Sequence, residues 1–157
     1  VTVHRAENTD NPARLLNILT ALDILKEKTI FPVHPRTRKM IGDLRYTAPP
    51  QVKLIEPVGY FDMITLEKAA RLILTDSGGM QKEAYWLRTP CVTLRYETEW
   101  VETLETGWNV LAGAETEKII AAVRNFTMPA EHPPLYREGS ATGKIINNLL
   151  ERNLLNQ

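Results

Sequence analysis

Short runs of β-branched and aliphatic residues alternate along the whole chain with longer stretches whose apolar positions recur every three or four residues. The runs predict strands at Val1 to His4, Thr29 to Val33, Val52 to Ile55, Leu72 to Thr75, Cys91 to Leu94 and Asn109 to Leu111, enough for a full open sheet. Between the first two, Asn11-Pro12 marks a helix start, and Leu15, Leu16, Leu19, Leu22 and Leu25 line one face. Further helices are predicted at Arg36 to Leu44, Phe61 to Ala69, Gly79 to Leu87, Glu99 to Thr106 and Glu115 to Val123. Helices that separate strands in this way imply an α/β fold built on a doubly wound parallel, Rossmann-like sheet. Residues 1–127 form that unit. Residues 128–157 add a proline-rich connector at Met128 to Pro134 and a final helix at Ser140 to Leu154, with Ile145, Ile146, Leu149 and Leu150 on one side. Such a helix belongs to the same domain yet can pack elsewhere.

Composition narrows the class. The 157 residues are 43% hydrophobic, enough for one buried core without disulfides. Formal net charge is zero, so bulk electrostatics favour neither nucleic acid nor an anionic membrane, and an anionic ligand must be held locally. The single cysteine, Cys91, sits in an apolar run and reads as a buried thiol. No apolar stretch approaches the roughly 20 residues that span a bilayer, and a cytoplasmic location is expected. The chain opens directly on a strand-like Val1-Thr-Val3 without an initiator methionine, as a piece of a longer polypeptide would.

In an open parallel sheet, ligands bind beyond the carboxyl ends of the strands. The residues just after each strand are His4-Arg5, His34-Pro35-Arg36, Glu56 to Tyr60, Asp76-Ser77-Gly78-Gly79 and Arg95 to Glu99. In Leu74-Thr-Asp-Ser-Gly-Gly-Met-Gln-Lys-Glu83 a strand runs straight into a helix. The free N–H groups at that helix start, its dipole and the Ser77 hydroxyl suit a phosphate, and two glycines let it approach the backbone. The alternative is a tight turn in which Ser77 merely caps the helix. Glu83 favours the ligand, because it lies one turn inside on the face of Gly79, where a carboxylate can accept from ribose hydroxyls. The segment is neither a Walker A loop nor a dinucleotide fingerprint. His4 is open to a plainer reading as a backbone-bonding histidine, and His34 and Arg36 either reach the ligand edge or stay solvated. The carboxylates of Arg95 to Glu105 lack oxygen-cage spacing, so no metal is expected.

Together, Val3-His-Arg-Ala-Glu-Asn8, Phe31-Pro-Val-His-Pro35, Leu74-Thr-Asp-Ser-Gly-Gly79 with Gln81 and Glu83, and Leu94-Arg-Tyr-Glu-Thr-Glu-Trp100 resemble the non-hydrolysing UDP-N-acetylglucosamine 2-epimerases. The match covers the C-terminal half of that family's two-domain glycosyltransferase B-type fold. The resemblance implies reversible conversion of UDP-N-acetylglucosamine to UDP-N-acetylmannosamine by elimination and re-addition of UDP, in cell-surface polysaccharide synthesis. It implies no cofactor, a UDP-sugar ligand, a missing N-terminal domain that carries the catalytic carboxylates, and a homodimer of the full-length enzyme. By the same resemblance, His4 is catalytic beside the diphosphate. Ser77, Gly78, Gly79, Glu83, Met63 and Tyr60 bind UDP, with Met63 at the uracil. Arg5, His34, Arg36, Arg95 and Trp100 are the candidates for the ligand edge. Trp100 departs from the arginine that many bacterial members carry, which makes UDP-2,3-diacetamido sugars or their uronic acids realistic substrates. A glycosyltransferase donor domain and a non-catalytic UDP-sugar-binding module are the competing readings.

Overall fold

The computed structural model describes residues 1–136 and 141–154, so the predicted helix start at Ser140 lies outside the described residues. Among the described residues, five parallel strands form two hydrogen-bonded groups. One pairs β1 (Thr29–Pro32) with β2 (Val52–Ile55), and the other runs β3 (Ile73–Thr75), β4 (Cys91–Thr93), β5 (Asn109–Leu111). The opening segment lies between the groups. Thr2 bridges Thr75 in parallel, its N–H donating to the Leu74 carbonyl at 3.0 Å, while the Val1 amino group donates to the Ile30 carbonyl at 2.8 Å. In chain order the extended segments thus lie third, second, first, fourth, fifth, sixth. This order reverses direction between the first segment and β3, and the crevice at such a switch point is where open α/β sheets bind ligands.

The predicted strand Val1 to His4 is therefore a single bridge rather than a ladder. The reason is local: the backbone N–H groups of His4 and Arg5 donate to the Asp76 side chain instead of to a neighbouring strand. A one-turn helix α1 (Ala6–Thr9), which carries no apolar periodicity to announce it, follows at once.

Helix α2 (Pro12–Leu25) starts where expected, with the Asn11 side chain accepting the N–H groups of Ala13 and Arg14 and proline in the first turn. Its buried face is Leu15, Ile18, Leu19, Ala21 and Leu22, whereas Leu16 is exposed and Leu25 only partly covered. Leu16 points away because one residue along a helix turns the side chain by about 100°. This face packs on α7 (Thr116–Arg124) through Ile119, Ile120 and Val123, over Val3, Phe31, Val33, Leu74, Val92 and Leu94. Helix α3 (Pro35–Asp43) adds Ile41 to the same core, and its buried Thr37 hydroxyl donates to the Val3 carbonyl.

A second, smaller core joins Ile73 and Cys91 to Met80 and Ala84 of α5 (Gly78–Trp86), with Met63 of α4 (Tyr60–Ala69) packed against it. Apart from α1, the observed helices fall within about two residues of the predicted ones, including α6 (Val101–Glu105). The connector lies along α5: Tyr85 donates to the Pro133 carbonyl at 2.5 Å, Trp108 Nε1 to the Glu131 carbonyl at 2.8 Å, and His132 stacks on Tyr85 at 4.2 Å. His132 fastens that connector. The last helix, α8 (Ala141–Leu154), leaves Ile145, Ile146, Leu149 and Leu150 exposed.

Candidate functional site

The turn from β3 into α5 lies at the switch point. The Thr75 hydroxyl accepts the Ser77 N–H at 3.0 Å, and Ser77 Oγ accepts the Met80 N–H at 3.4 Å, so Ser77 is the N-cap of α5. Gln81 N–H closes on the Ser77 carbonyl at 3.3 Å. The N–H groups of Gly78 and Gly79 have no acceptor among the described residues. Two open donors at the positive end of a nine-residue helix are a local anion site that needs no cationic cluster. A side chain at Gly79 would meet only Ser77 Oγ, at 3.9 Å, so the backbone is approachable there. Glu83 stands one turn further in, partly exposed, and no donor among the described residues reaches its carboxylate.

Asp76 ties this turn to the opening segment. Its side chain is fully buried and accepts from the N–H groups of His4 at 3.0 and 3.2 Å and of Arg5 at 3.0 Å, and from Asn8 Nδ2 at 3.1 Å. Asn8 also donates to the Leu94 carbonyl at 2.9 Å, which links the end of β4. His4 is thereby fixed beside Asp76, with its Nδ1 3.7 Å from Asp76 Oδ1 and its ring 6.1 Å from that of His34. Sequence reading placed Asp76 at a strand end without a role. A lone acid following a strand at the switch point, opposite two consecutive backbone donors, is the signal that could have marked it.

The edge residues divide. Arg95 donates to Glu99 Oε2 at 2.7 Å, and Arg5 Nη2 lies 3.6 Å from Glu99 Oε1. Glu99 Oε1 in turn presses on Gly78, where an added Cβ would come within 2.4 Å of it. Its carboxyl is held below the usual carboxylate range by its own backbone N–H and then by Arg95. Glu99, absent from the residues expected at the site, therefore stands as an internal anion at the start of α5. Trp100 lies beside it, its Nε1 3.3 Å from the same added Cβ.

Arg36 is committed elsewhere, with Nε donating to Asp10 Oδ1 at 3.0 Å and Nη2 to Oδ2. His34 caps α3 by accepting the Arg36 N–H at 3.2 Å. The Met63 side chain packs into the second core, while Tyr60 and its edge-on neighbour Phe61 project into solvent at the start of α4. No helix among the described residues is long and apolar enough to cross a membrane.

Residues 1–150 match the family model described as UDP-N-acetylglucosamine 2-epimerase. A UDP-N-acetylglucosamine 2-epimerase homolog of Methanococcus maripaludis is 53% identical over 159 residues, which cover 98% of this chain and 44% of that protein. The UDP-2,3-diacetamido-2,3-dideoxy-D-glucuronate 2-epimerase of Pseudomonas aeruginosa is 43% identical over 94% of this chain and 43% of its own length. Among solved structures, the Methanocaldococcus jannaschii UDP-GlcNAc 2-epimerase in complex with UDP-GlcNAc and UDP matches with a TM-score of 0.83 at 42% identity. That match covers 96% of this chain and 44% of the other. The chain thus spans less than half the length of these relatives.

Proposed function

The chain belongs to the UDP-N-acetylglucosamine 2-epimerase family, and we propose that it is the UDP-holding half of an epimerase with the two-domain glycosyltransferase B-type fold. The substrate is UDP-N-acetylglucosamine or a UDP-diacetamido sugar, inverted at C2 by elimination of UDP and re-addition to the resulting glycal. One feature carries the reading: the N–H groups of Gly78 and Gly79 have no acceptor among the described residues, just after Asp76, which binds the His4 backbone, and with Glu83 one turn inside. Elimination transfers the C1–oxygen bonding pair to the departing diphosphate while the C2 proton is removed. Donors preorganised at the forming charge act most strongly at that moment, and loss of one such donor costs roughly 10²–10³ in rate in comparable oxyanion sites. His4, which the Asp76 bonds orient, would contact the diphosphate, and Glu83 would accept from the ribose hydroxyls. The carboxylates that move the C2 proton would come from a second domain, on which the exposed stripe of α8 would pack. A full-length homodimer is part of this proposal.

Calorimetry with UDP tests the ligand. The chain should bind it, and Ser77→Ala and Glu83→Gln should each weaken it about tenfold or more; a folded chain that ignores UDP would overturn the reading. Full-length protein in heavy water tests the reaction. An epimerase exchanges the C2 hydrogen of UDP-N-acetylglucosamine, whereas a glycosyltransferase with the same donor domain leaves it in place.

A further inference from the structure

A buried N–H without an acceptor costs roughly 1–3 kcal/mol, and natural sites keep such groups where a ligand satisfies them. Trp100 Nε1 is one: it is buried and unpartnered among the described residues. It lies 3.3 Å from where a Cβ on Gly78, the first residue of α5, would stand.

The indole is held from several directions. Lys82 Nζ sits 4.3 Å above its ring and Tyr136 meets it edge-on at 6.3 Å. Its backbone N–H donates to Thr98 Oγ1 at 3.1 Å, and that hydroxyl donates to Gln81 Oε1 at 2.6 Å. The Trp100 carbonyl accepts from the Thr103 hydroxyl at 2.7 Å. Lys82 and Gln81 both belong to α5, so the helix that supplies the anion-binding N–H groups also fixes the direction of the indole. A ring clamped on its face, its edge and its backbone leaves little rotamer freedom to be lost when its N–H finds an acceptor.

We propose that Trp100 is a positioning residue for the diphosphate, its indole N–H donating to a diphosphate oxygen at the first turn of α5 and completing a set begun by Gly78 and Gly79. The inference rests on the UDP reading above. Unlike a cationic side chain, the indole supplies one neutral, directional donor. It orients the leaving group without adding charge.

Trp100→Phe removes the donor while keeping an aromatic face for Lys82. Calorimetry with UDP, uridine and UDP-N-acetylglucosamine should show UDP weakened about tenfold, the sugar nucleotide weakened equally and uridine unchanged. In the unsubstituted protein, the ¹⁵N indole resonance of Trp100, identified by its loss in Trp100→Phe, should move downfield with UDP and not with uridine. Unchanged UDP affinity overturns the proposal. So does a loss confined to UDP-N-acetylglucosamine, which places the acceptor on the sugar, or an equal loss for uridine, which makes the ring a structural wall. If Trp100→Phe fails to fold, assigning the other two indole signals with Trp86→Phe and Trp108→Phe identifies that of Trp100, and an unmoved Trp100 signal on saturation with UDP overturns the proposal. If the unsubstituted chain binds no UDP, the ligand reading itself fails; if it binds UDP and Trp100→Phe binds it equally, only the role of Trp100 does.

Discussion

The Asp76 carboxylate accepts the backbone N–H of His4 across 72 residues of chain, at 3.0 Å to one oxygen and 3.2 Å to the other. With Arg5 N–H and Asn8 Nδ2 on the same side chain, one buried acid joins the opening segment to the β3–α5 turn. Asp76→Ala strands these donors, and unsatisfied buried donors at roughly 1–3 kcal/mol each put the expected loss at about 3 kcal/mol or more. Asp76→Asn keeps the shape but turns an amide NH₂ towards other donors, so it should recover only part. Urea unfolding measures both, and UDP affinity should fall in each because His4 loses its place. Unchanged stability in Asp76→Ala would show that the joint is not structural.

Arg36 gives the opposite expectation. Its guanidinium is taken by Asp10 on the surface, both side chains about half exposed, a pairing worth at most about 1 kcal/mol. Arg36→Ala should leave UDP binding within about twofold, while Arg95→Ala, which removes a mostly buried cation from the crevice, should weaken it clearly. Calorimetry on the pair separates a ligand-edge arginine from a solvated one. Equal losses would return Arg36 to the site.

These two arginines show where sequence reading stops. The alternation of strands and helices was legible because period-two and period-three-to-four patterns report burial directly, and the Asn11 and Ser77 caps located two helix starts to within a residue. Convergence of the strand ends was legible too, since a doubly wound sheet forces it. What could not be read were pairings that depend on where distant side chains meet: Asp76 with His4, Glu99 with Arg5 and Arg95, Arg36 with Asp10. The truncated first strand belongs to the same class, because its hydrogen bonds are diverted by an acid 72 residues away. Leu16 failed for a simpler reason, as leucines at 15 and 16 cannot both face one core and Ile18 completes the stripe instead.

Glu67 makes stability depend on pH. It is 3% exposed, neither carboxylate oxygen has a partner among the described residues, and burial followed by the charge of Glu83 raises its pKa from 4.5 to about 7. A raised folded-state value means that the native protein holds a proton the unfolded chain has released. The associated stability is complete below pH 4.5 and lost as pH rises through about 7. The full loss is about 3 kcal/mol at 1.36 kcal/mol per unit. The difference between Glu67→Gln and the unsubstituted chain isolates the effect from that of other titrating groups. That difference should be small at pH 4.5 and favour Glu67→Gln by a few kcal/mol at pH 8, measured by urea unfolding at each pH. A pH-independent difference would mean that Glu67 ionises freely in the folded state.

Glu99 sets the last expectation, because its carboxylate lies where an incoming diphosphate would begin to bind. It presses on Gly78 and pairs with both Arg5 and Arg95. A diphosphate must either displace this acid or approach it against repulsion, and displacement would release both arginines to the ligand. Glu99→Gln keeps the side-chain shape and removes the charge, so it should bind UDP several-fold more tightly than the unsubstituted chain at neutral pH. The gain should shrink as salt is raised, since part of it is Coulombic at a partly exposed site. If Glu99 served mainly to hold Arg5 and Arg95 in register for the ligand, the substitution would weaken UDP instead. The sign of the change in calorimetric affinity therefore decides between a displaceable anion and a scaffold for the two arginines.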